Sequence, residues 1–294
     1  MIEARKLTQT YKSGKGVFNL DFSIKEGEVF GYLGPNGAGK TTTIRNFLGF
    51  ANADSGGARI NGLDCRKDAA KLQKSIGYLP GETAFFDNMS GIEFLKFMSD
   101  MRGMKETTRR DSLIDQFELD PKGKIKKMSK GMKQKLAIIT AFMHDPAVYI
   151  LDEPTAGLDP FMQNVFLDLI ETERGRGKTI MMSSHIFEEV QRSCDRAGII
   201  KEGILVAVED IQALNDVKLK TYTVTLADPD DLKKLKSLQV KKVSSHRVQI
   251  TVGHNYKQFF EALAKCSVVG LFSQQQSLED VFMKYYGKGG QTNE

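Results

Sequence analysis

At 294 residues the chain has room for one large domain or two ordinary ones, and its composition, 40% hydrophobic and 27% charged without a low-complexity tract, is that of a soluble globular protein. No window approaches the roughly 18 apolar residues of a membrane span, and the opening MIEARKLTQTYK lacks the apolar centre of a signal peptide, so a cytosolic location is expected. The net charge of +5 is spread as 30 basic and 29 acidic side chains over residues 1–215 and 12 against 8 over residues 216–294; a nucleic-acid binder would carry a stronger basic stripe, so no nucleic-acid partner is expected.

In chain order, FNLDFSI alternates in polarity and EVFGYLG is a compact apolar run, and both read as strands. RINGLD and SIGYLP read as further strands, each punctuated by Gly or Pro. From about Met89 to Met143 the period becomes helical. GIEFLKFMSDM sets Ile92, Leu95, Met98 and Met101 on one expected core face, and RRDSLIDQFEL repeats the pattern. AVYILDEP then reads as a buried strand, NVFLDLIETE as a helix and TIMMSSH as a strand. Strands alternating with helices predict an α/β fold with a mostly parallel sheet and a helical insertion. Past about residue 215 the order changes. KTYTVTL (strand), PDDLKKLKSL (helix), VKKVSS and RVQITV (strands), YKQFFEALAKC (helix) and VVGLFSQ (strand) make a βαββαβ, ferredoxin-like order. The final SLEDVFMKYYG opens with a Ser-x-x-Asp capping box and predicts one more helix. The expected domains are therefore 1–215, with a helical part over about 89–143, and an α+β domain over 216–294. Cys65, Cys194 and Cys266 have neither metal nor redox spacing and read as reduced, partly buried thiols.

GPNGAGKTT, from Gly34 through Pro35, Asn36, Gly37, Ala38 and Gly39 to Lys40, Thr41 and Thr42, fits G-x-x-x-x-G-K-[ST] between a strand and a helix. Its glycines let successive N–H groups turn toward phosphate oxygens where a Cβ would obstruct. Lys40 would reach the β- and γ-phosphates, the Thr41 hydroxyl would ligate Mg²⁺, and the helix behind adds its positive end. AVYILDEP ends an apolar strand in two acids, which is unusual unless a cation or a water awaits them. Asp152 suits Mg²⁺ coordination through water, and Glu153 suits orienting or deprotonating an attacking water. MMSSH places His185 at another strand end. A lone His is most often structural, but after a phosphate loop and an acidic strand tip its N–H could hold the terminal phosphate.

One stretch stands apart. KIKKMSKGMKQKLAI belongs to a run of seven lysines from Lys122 to Lys135 with no acid among them, yet Gly131 interrupts it at a helix start. Together with the loop and the strand tips, this resembles the nucleotide-binding subunit of an ATP-binding cassette (ABC) transporter over roughly Ile2 to Val208. In that resemblance MSKGM takes the place of the signature motif L-S-G-G-Q. Ser129, the Gly131 backbone and the helix N-terminus would then serve the γ-phosphate held by a partner subunit's loop. Lys130 stands where the family has Gly and Met132 where it has Gln, while the outlying lysines read as a solvated face. Glu82, next to Gly81 at the place of a family Gln, is a candidate metal-side acid. Asp159 closes AGLD, which matches the loop at the family's dimer seam. Tyr11 matches the aromatic that stacks on adenine, although an aromatic in a strand-rich stretch is ordinarily core.

The resemblance implies an ATP- and Mg²⁺-dependent ATPase working as a homodimer with a separate membrane permease, on the cytoplasmic face of the membrane. The helical part would carry the coupling surface. Met89, Met98, Met101 and Met104 are candidates for an adaptable docking patch there, though methionines more often fill cores. SKGM and the terminal SLEDVFMKYYG resemble cassettes engaged in export. Two rivals remain. A soluble cassette acting on ribosomes or nucleic acid usually carries two cassettes or long coiled coils, and this chain has one cassette and no sustained heptads. A nucleotide-binding regulator without turnover would not need Glu153 and His185.

Overall fold

The computed structural model of the chain describes residues 1–86, 88–216, 220–235, 238–253 and 256–274. Two compact units are present, Met1–Glu209 and Asp210–Glu294. Residues 210–215, grouped above with the larger part, thus go with the smaller one. The helix expected over SLEDVFMKYYG lies outside the described residues.

The larger unit contains β1 (Ile2–Thr10), β2 (Gly16–Ile24), β3 (Val29–Leu33), α1 (Lys40–Phe47), β4 (Ser55–Ile60), β5 (Leu63–Asp64), α2 (Ala69–Ser75) and β6 (Ile76–Leu79). The helical part follows as α3 (Gly91–Met101), α4 (Thr108–Gln116) and α5 (Lys130–Phe142). The chain then returns through β7 (Val148–Asp152), α6 (Pro160–Gly175), β8 (Thr179–Ser184), α7 (Phe187–Ser193), β9 (Arg196–Lys201) and β10 (Ile204–Asp210).

The strands form not one sheet but two. β10-β9-β3-β8-β7-β6 is a six-stranded sheet whose β9/β3, β3/β8, β8/β7 and β7/β6 pairs are parallel. Every residue of β3, β7 and β8 is buried, as a parallel sheet covered on both faces requires. β2-β1-β4-β5 is a separate antiparallel sheet. Its inward residues Ile2, Ala4, Leu20, Phe22 and Ile60 join Phe30, Tyr32 and Phe47 in one apolar cluster. Phe22 stacks on Phe30 and Tyr32 and meets Phe47 edge-on. This cluster seats α1, and therefore the loop before it.

In α3 the expected face is displaced. The buried positions are Gly91, Phe94, Leu95 and Ser99, while Ile92 and Met101 are 47% and 69% exposed. Close packing explains this: a Cβ on Gly91 would stand 2.8 Å from Pro121 O, and the Ser99 hydroxyl lies against the Met143 sulfur. Ser90 caps the helix in a full capping box with Glu93.

The smaller unit holds α8 (Ile211–Asp216), β11 (Lys220–Leu226), β12 (Gln239–Lys242), β13 (Arg247–Val252), α9 (Tyr256–Leu263) and β14 (Val268–Gln274). Its all-antiparallel sheet runs β12-β13-β11-β14, the order a βαββαβ chain gives. Val224, Val248, Ile250 and Phe259 centre its own core. The first expected helix is instead a 3-10 segment, Pro229–Leu235. Asp228 and Asp231 spend their carboxylates on backbone N–H groups, of Asp230 and of Ser267 across the unit, and so hold the segment outside α-helical geometry. Among the described residues no helix is long and apolar enough to cross a membrane.

His144, just past α5, links fold to pH. Burial first, then the charges of Arg102 and Arg109, pull it down from 6.5 to about 4, and its Nε2 sits 3.2 Å from Ile76 O. The unfolded chain takes up a proton here near its ordinary value, and the folded chain does so only far below it. Stability from this site is therefore full above pH 6.5 and lost as pH falls toward about 4. His144→Gln should lose less stability than the parent between about pH 7 and about pH 4.5. Urea denaturation of both proteins at each pH measures it, and parallel losses would remove His144 as the cause.

Candidate nucleotide site

The site lies at the carboxyl ends of β3, β7 and β8. Between β3 and α1 the chain turns at Gly37 and Gly39, with φ of 81° and 112°, values that a side chain opposes. Gly34 and Ala38 face inward: a Cβ on Gly34 would lie 2.6 Å from Ile200 O, and Ala38 is buried. Pro35, Asn36, Gly37, Gly39, Lys40, Thr41 and Thr42 instead line a cavity of about 850 Å³. Lys40 is almost fully buried. Its ammonium donates to Gly34 O at 2.6 Å and Pro35 O at 3.3 Å, and pairs with Glu153 Oε1 at 2.9 Å.

Parallel pairing of β7 with β8 sets Asp152 opposite Ser183. Asp152, 2% exposed, accepts from Thr41 Oγ1 at 2.8 Å on one oxygen and from Ser183 Oγ at 2.5 Å on the other. Glu153 turns the other way from a left-handed backbone (φ 50°), its N–H donating to Ser183 O and Oγ. A non-glycine residue in that region is strained and needs surrounding structure to hold it. The opposite Glu153 oxygen meets His185 Nδ1 at 2.5 Å. The structure thus gathers Lys40, Thr41, Asp152, Glu153 and His185 from three segments around one cavity.

The other residues singled out by sequence divide. Tyr11 is 39% exposed rather than core, lines the cavity, and places its hydroxyl 3.5 Å from Thr42 Oγ1. Glu82 lines the rim and is exposed. Ser129, Gly131 and Asp159 are not among the cavity-lining residues. Ser129 caps α5 by accepting from Met132 N at 3.2 Å, and Asp159 caps α6 by accepting from Met162 N at 3.0 Å. Gly131 abuts Gly157 O, which would be 3.0 Å from a Cβ.

Against this geometry, residues 17–156 match the model of the ABC transporter family. The linearmycin resistance ATP-binding protein LnrL of Bacillus subtilis (strain 168) is 32% identical over 98% of this chain and 99% of its own length. The chain belongs to the ABC transporter ATP-binding proteins. The bacitracin transport ATP-binding protein BcrA of Bacillus licheniformis is 33% identical over 98% of each chain. A solved ATP-binding subunit of an ABC transporter superposes with a TM-score of 0.69 at 28% identity, over 73% of this chain and 92% of that one.

This ABC protein also carries positioning residues that sequence reasoning passed over. Ser183 holds both acids of the strand tip. Glu189 on α7 accepts from Thr155 Oγ1 at 2.5 Å and Ser184 Oγ at 2.8 Å, tying the turn after Glu153 to the end of β8. Gln134 donates to Pro154 O at 2.7 Å. Apart from Ser184, five residues before Glu189, their partners lie 20 to 34 residues away, so the only available signal was the Ser-Ser pair directly before His185. Burial, and next the Asp152 charge, push the Tyr78 phenol in the cavity wall up to about 12, so it is a neutral neighbour.

Glu189→Ala should leave the Thr155 and Ser184 hydroxyls without their acceptor and cost about 1–3 kcal/mol. Chemical denaturation measures it; an unchanged midpoint would mean water replaces the carboxylate at no cost.

Proposed function

We propose that the chain is a Mg²⁺-dependent ATPase subunit that works as a homodimer on the cytoplasmic face of a membrane and drives export through a separate permease. The observation that carries the catalytic part is the bridge Lys40–Glu153–His185 beside the Thr41–Asp152 pair, all on one cavity. Both groups the reading requires fit the residues present. The positive-φ turn at Gly37 and Gly39 leaves N–H groups and a buried ammonium facing the space that phosphates would fill. For the metal, Thr41 Oγ1 and Asp152 Oδ2 stand together, and Gly81 keeps the space beside them open, since a Cβ there would come within 3.3 Å of Asp152 Oδ2. One carboxylate, one hydroxyl and phosphate oxygens suit Mg²⁺, with Glu82 at the rim as a further acid.

Bound Mg-ATP supplies the phosphoanhydride and the neutralising cation. The chain does the rest. Transfer of the Lys40 ammonium from Glu153 to phosphate oxygens frees Glu153 Oε1 to accept a proton from water, while His185 holds the carboxylate by its other oxygen. Tyr11, in the cavity wall beside Thr42, would offer an aromatic face for the base.

The dimer reading is supported by what Ser129 and Gly131 do not do. They sit at the start of α5, off the cavity of their own chain, so the N–H groups that precede the capped Met132 N–H would be offered to a second subunit's nucleotide. Asp159, capping α6 beside them, belongs to the same face. The permease reading is supported by the helical part, where Phe86, Ile92, Phe97 and Met101 are exposed and Phe86 packs edge-on with Phe97. Export is supported by the relatives' names, linearmycin resistance and bacitracin transport. Those names give no support to a ribosome-directed cassette.

Lys40→Ala should abolish measurable ATP binding by calorimetry while the far-ultraviolet circular dichroism stays native; unchanged affinity would overturn the site. Glu153→Gln should bind ATP but lose turnover, because the amide cannot accept the water's proton. In sedimentation with Mg-ATP this variant should accumulate as a dimer, and a purely monomeric boundary would argue against the two-subunit reading of Ser129 and Gly131.

A further inference from the structure

We infer that Ser183 is a positioning residue of the reaction, whose one hydroxyl sets both the carboxylate of Asp152 and the backbone of Glu153. This rests on the ATPase reading above and adds to it a residue that does not line the cavity. Ser183 lies in β8 between Asp152 on β7 and Tyr32 on β3, and it is fully buried. Ile180, Met181 and Met182 before it are equally buried. An apolar side chain would therefore suit the strand, and a hydroxyl there must be bonded to be tolerated. It is bonded twice, and the chemistry of its partners fixes the direction of each bond. A carboxylate only accepts and an amide N–H only donates. The hydroxyl proton therefore points to Asp152 Oδ1 at 2.5 Å, and a lone pair faces Glu153 N at 3.1 Å. Ser184, next along the strand, bonds to Glu189 instead.

Each bond restrains a group that would otherwise have a choice. Asp152 Oδ2 accepts from Thr41 Oγ1 at 2.8 Å, on the side that Gly81 leaves open. With Oδ1 held by Ser183, the carboxylate plane is fixed and Oδ2 stays turned toward Thr41. Without that bond Oδ1 loses its only hydrogen-bond partner among the described residues, and a buried oxygen so orphaned is costly unless it turns to another donor. Glu153 is held at φ 50°, a strained conformation for a residue with a side chain, and its N–H is shared between Ser183 O at 3.2 Å and Ser183 Oγ. Its carboxylate stands between Lys40 Nζ at 2.9 Å and His185 Nδ1 at 2.5 Å, an arrangement that tolerates little rotation of the backbone beneath it. One hydroxyl thus sets the metal-side acid and the water-side acid relative to each other. Outer partners of this kind commonly change metal affinity or turnover by about tenfold or more.

The test uses the full chain, with turnover and binding measured separately. Ser183→Ala should lower kcat for Mg-ATP about tenfold or more, while ADP affinity without metal stays within about twofold of the parent. Mn²⁺ titrated into the ADP-loaded protein, followed by electron paramagnetic resonance, should bind about three- to tenfold more weakly, a readout that needs no turnover. Ser183→Thr keeps the hydroxyl and should retain most of both properties. Ser183→Val matches Ser183→Thr in shape but lacks the hydroxyl, and it should lose both, so the pair separates hydrogen bonding from packing. Equal turnover and equal Mn²⁺ affinity in those two variants would overturn the inference. So would a loss in Ser183→Ala confined to nucleotide affinity. Glu153→Gln run alongside separates the two failures: if it turns over ATP like the parent the ATPase reading falls, and if it does not while Ser183→Ala matches the parent, only the role of Ser183 falls. Should the β-branched pair fold poorly, Ser183→Cys fills the site with a weak hydrogen-bonding group and should share the loss of Ser183→Ala. An unimpaired Ser183→Cys would overturn the inference equally.

Discussion

The ion pair between Lys40 and Glu153 is the constraint on which the rest of the site depends. Neither residue is placed by its own segment alone. Lys40 opens α1, which is seated on the aromatic cluster of Phe22, Phe30, Tyr32 and Phe47. Glu153 leaves β7 in a left-handed conformation that Ser183 on the neighbouring strand pins through two hydrogen bonds. A buried ammonium needs a partner, and a strained carboxylate needs a clamp; each answers the other. Removing Glu153 would leave the buried Lys40 ammonium with carbonyl acceptors but no counter-charge, at a cost above that of losing a surface pair.

That arrangement explains why some of the site was legible in the sequence and some was not. The phosphate loop is a local object: its glycines, its lysine and its hydroxyl are consecutive, and the turn they dictate needs no distant partner. Asp152 and Glu153 were legible because two acids ending an apolar strand are costly without a purpose. Ser183, Glu189 and Gln134 act across 20 to 34 residues and have no such mark.

The fold shows the same division. β3, β7 and β8 announce themselves as continuous apolar runs because both of their faces are covered. β1 does not. Its register with both β2 and β4 shifts in the middle, with Lys6 at φ 47°, so its alternation breaks. β9 is interrupted by Gly198, whose missing side chain makes way for the Phe30 ring, 2.8 Å from where a Cβ would be. α3 carries apolar residues on more than one face, and periodicity alone cannot say which face meets α5. Packing against Pro121 and Met143 decides it, and Ile92 and Met101 are left outside.

The six residues from Glu153 to Leu158 deserve to be considered as one mechanical piece. The piece begins at the acid that pairs with Lys40 and ends beside Asp159, the cap of α6. Along it Pro154 O is held by Gln134 of α5, Thr155 by Glu189 of α7, and Gly157 by the stem of Lys130. Two helices therefore grip, at three points, a turn whose first residue faces the cavity and whose far end adjoins the face carrying Ser129 and Gly131. A displacement of Glu153, when Lys40 changes partner, cannot be absorbed within so short and tightly bonded a segment. It must pass to the starts of α5 and α6, where a second subunit would meet them. Coupling between the nucleotide cavity and that outer face then requires no long pathway, because one turn borders both.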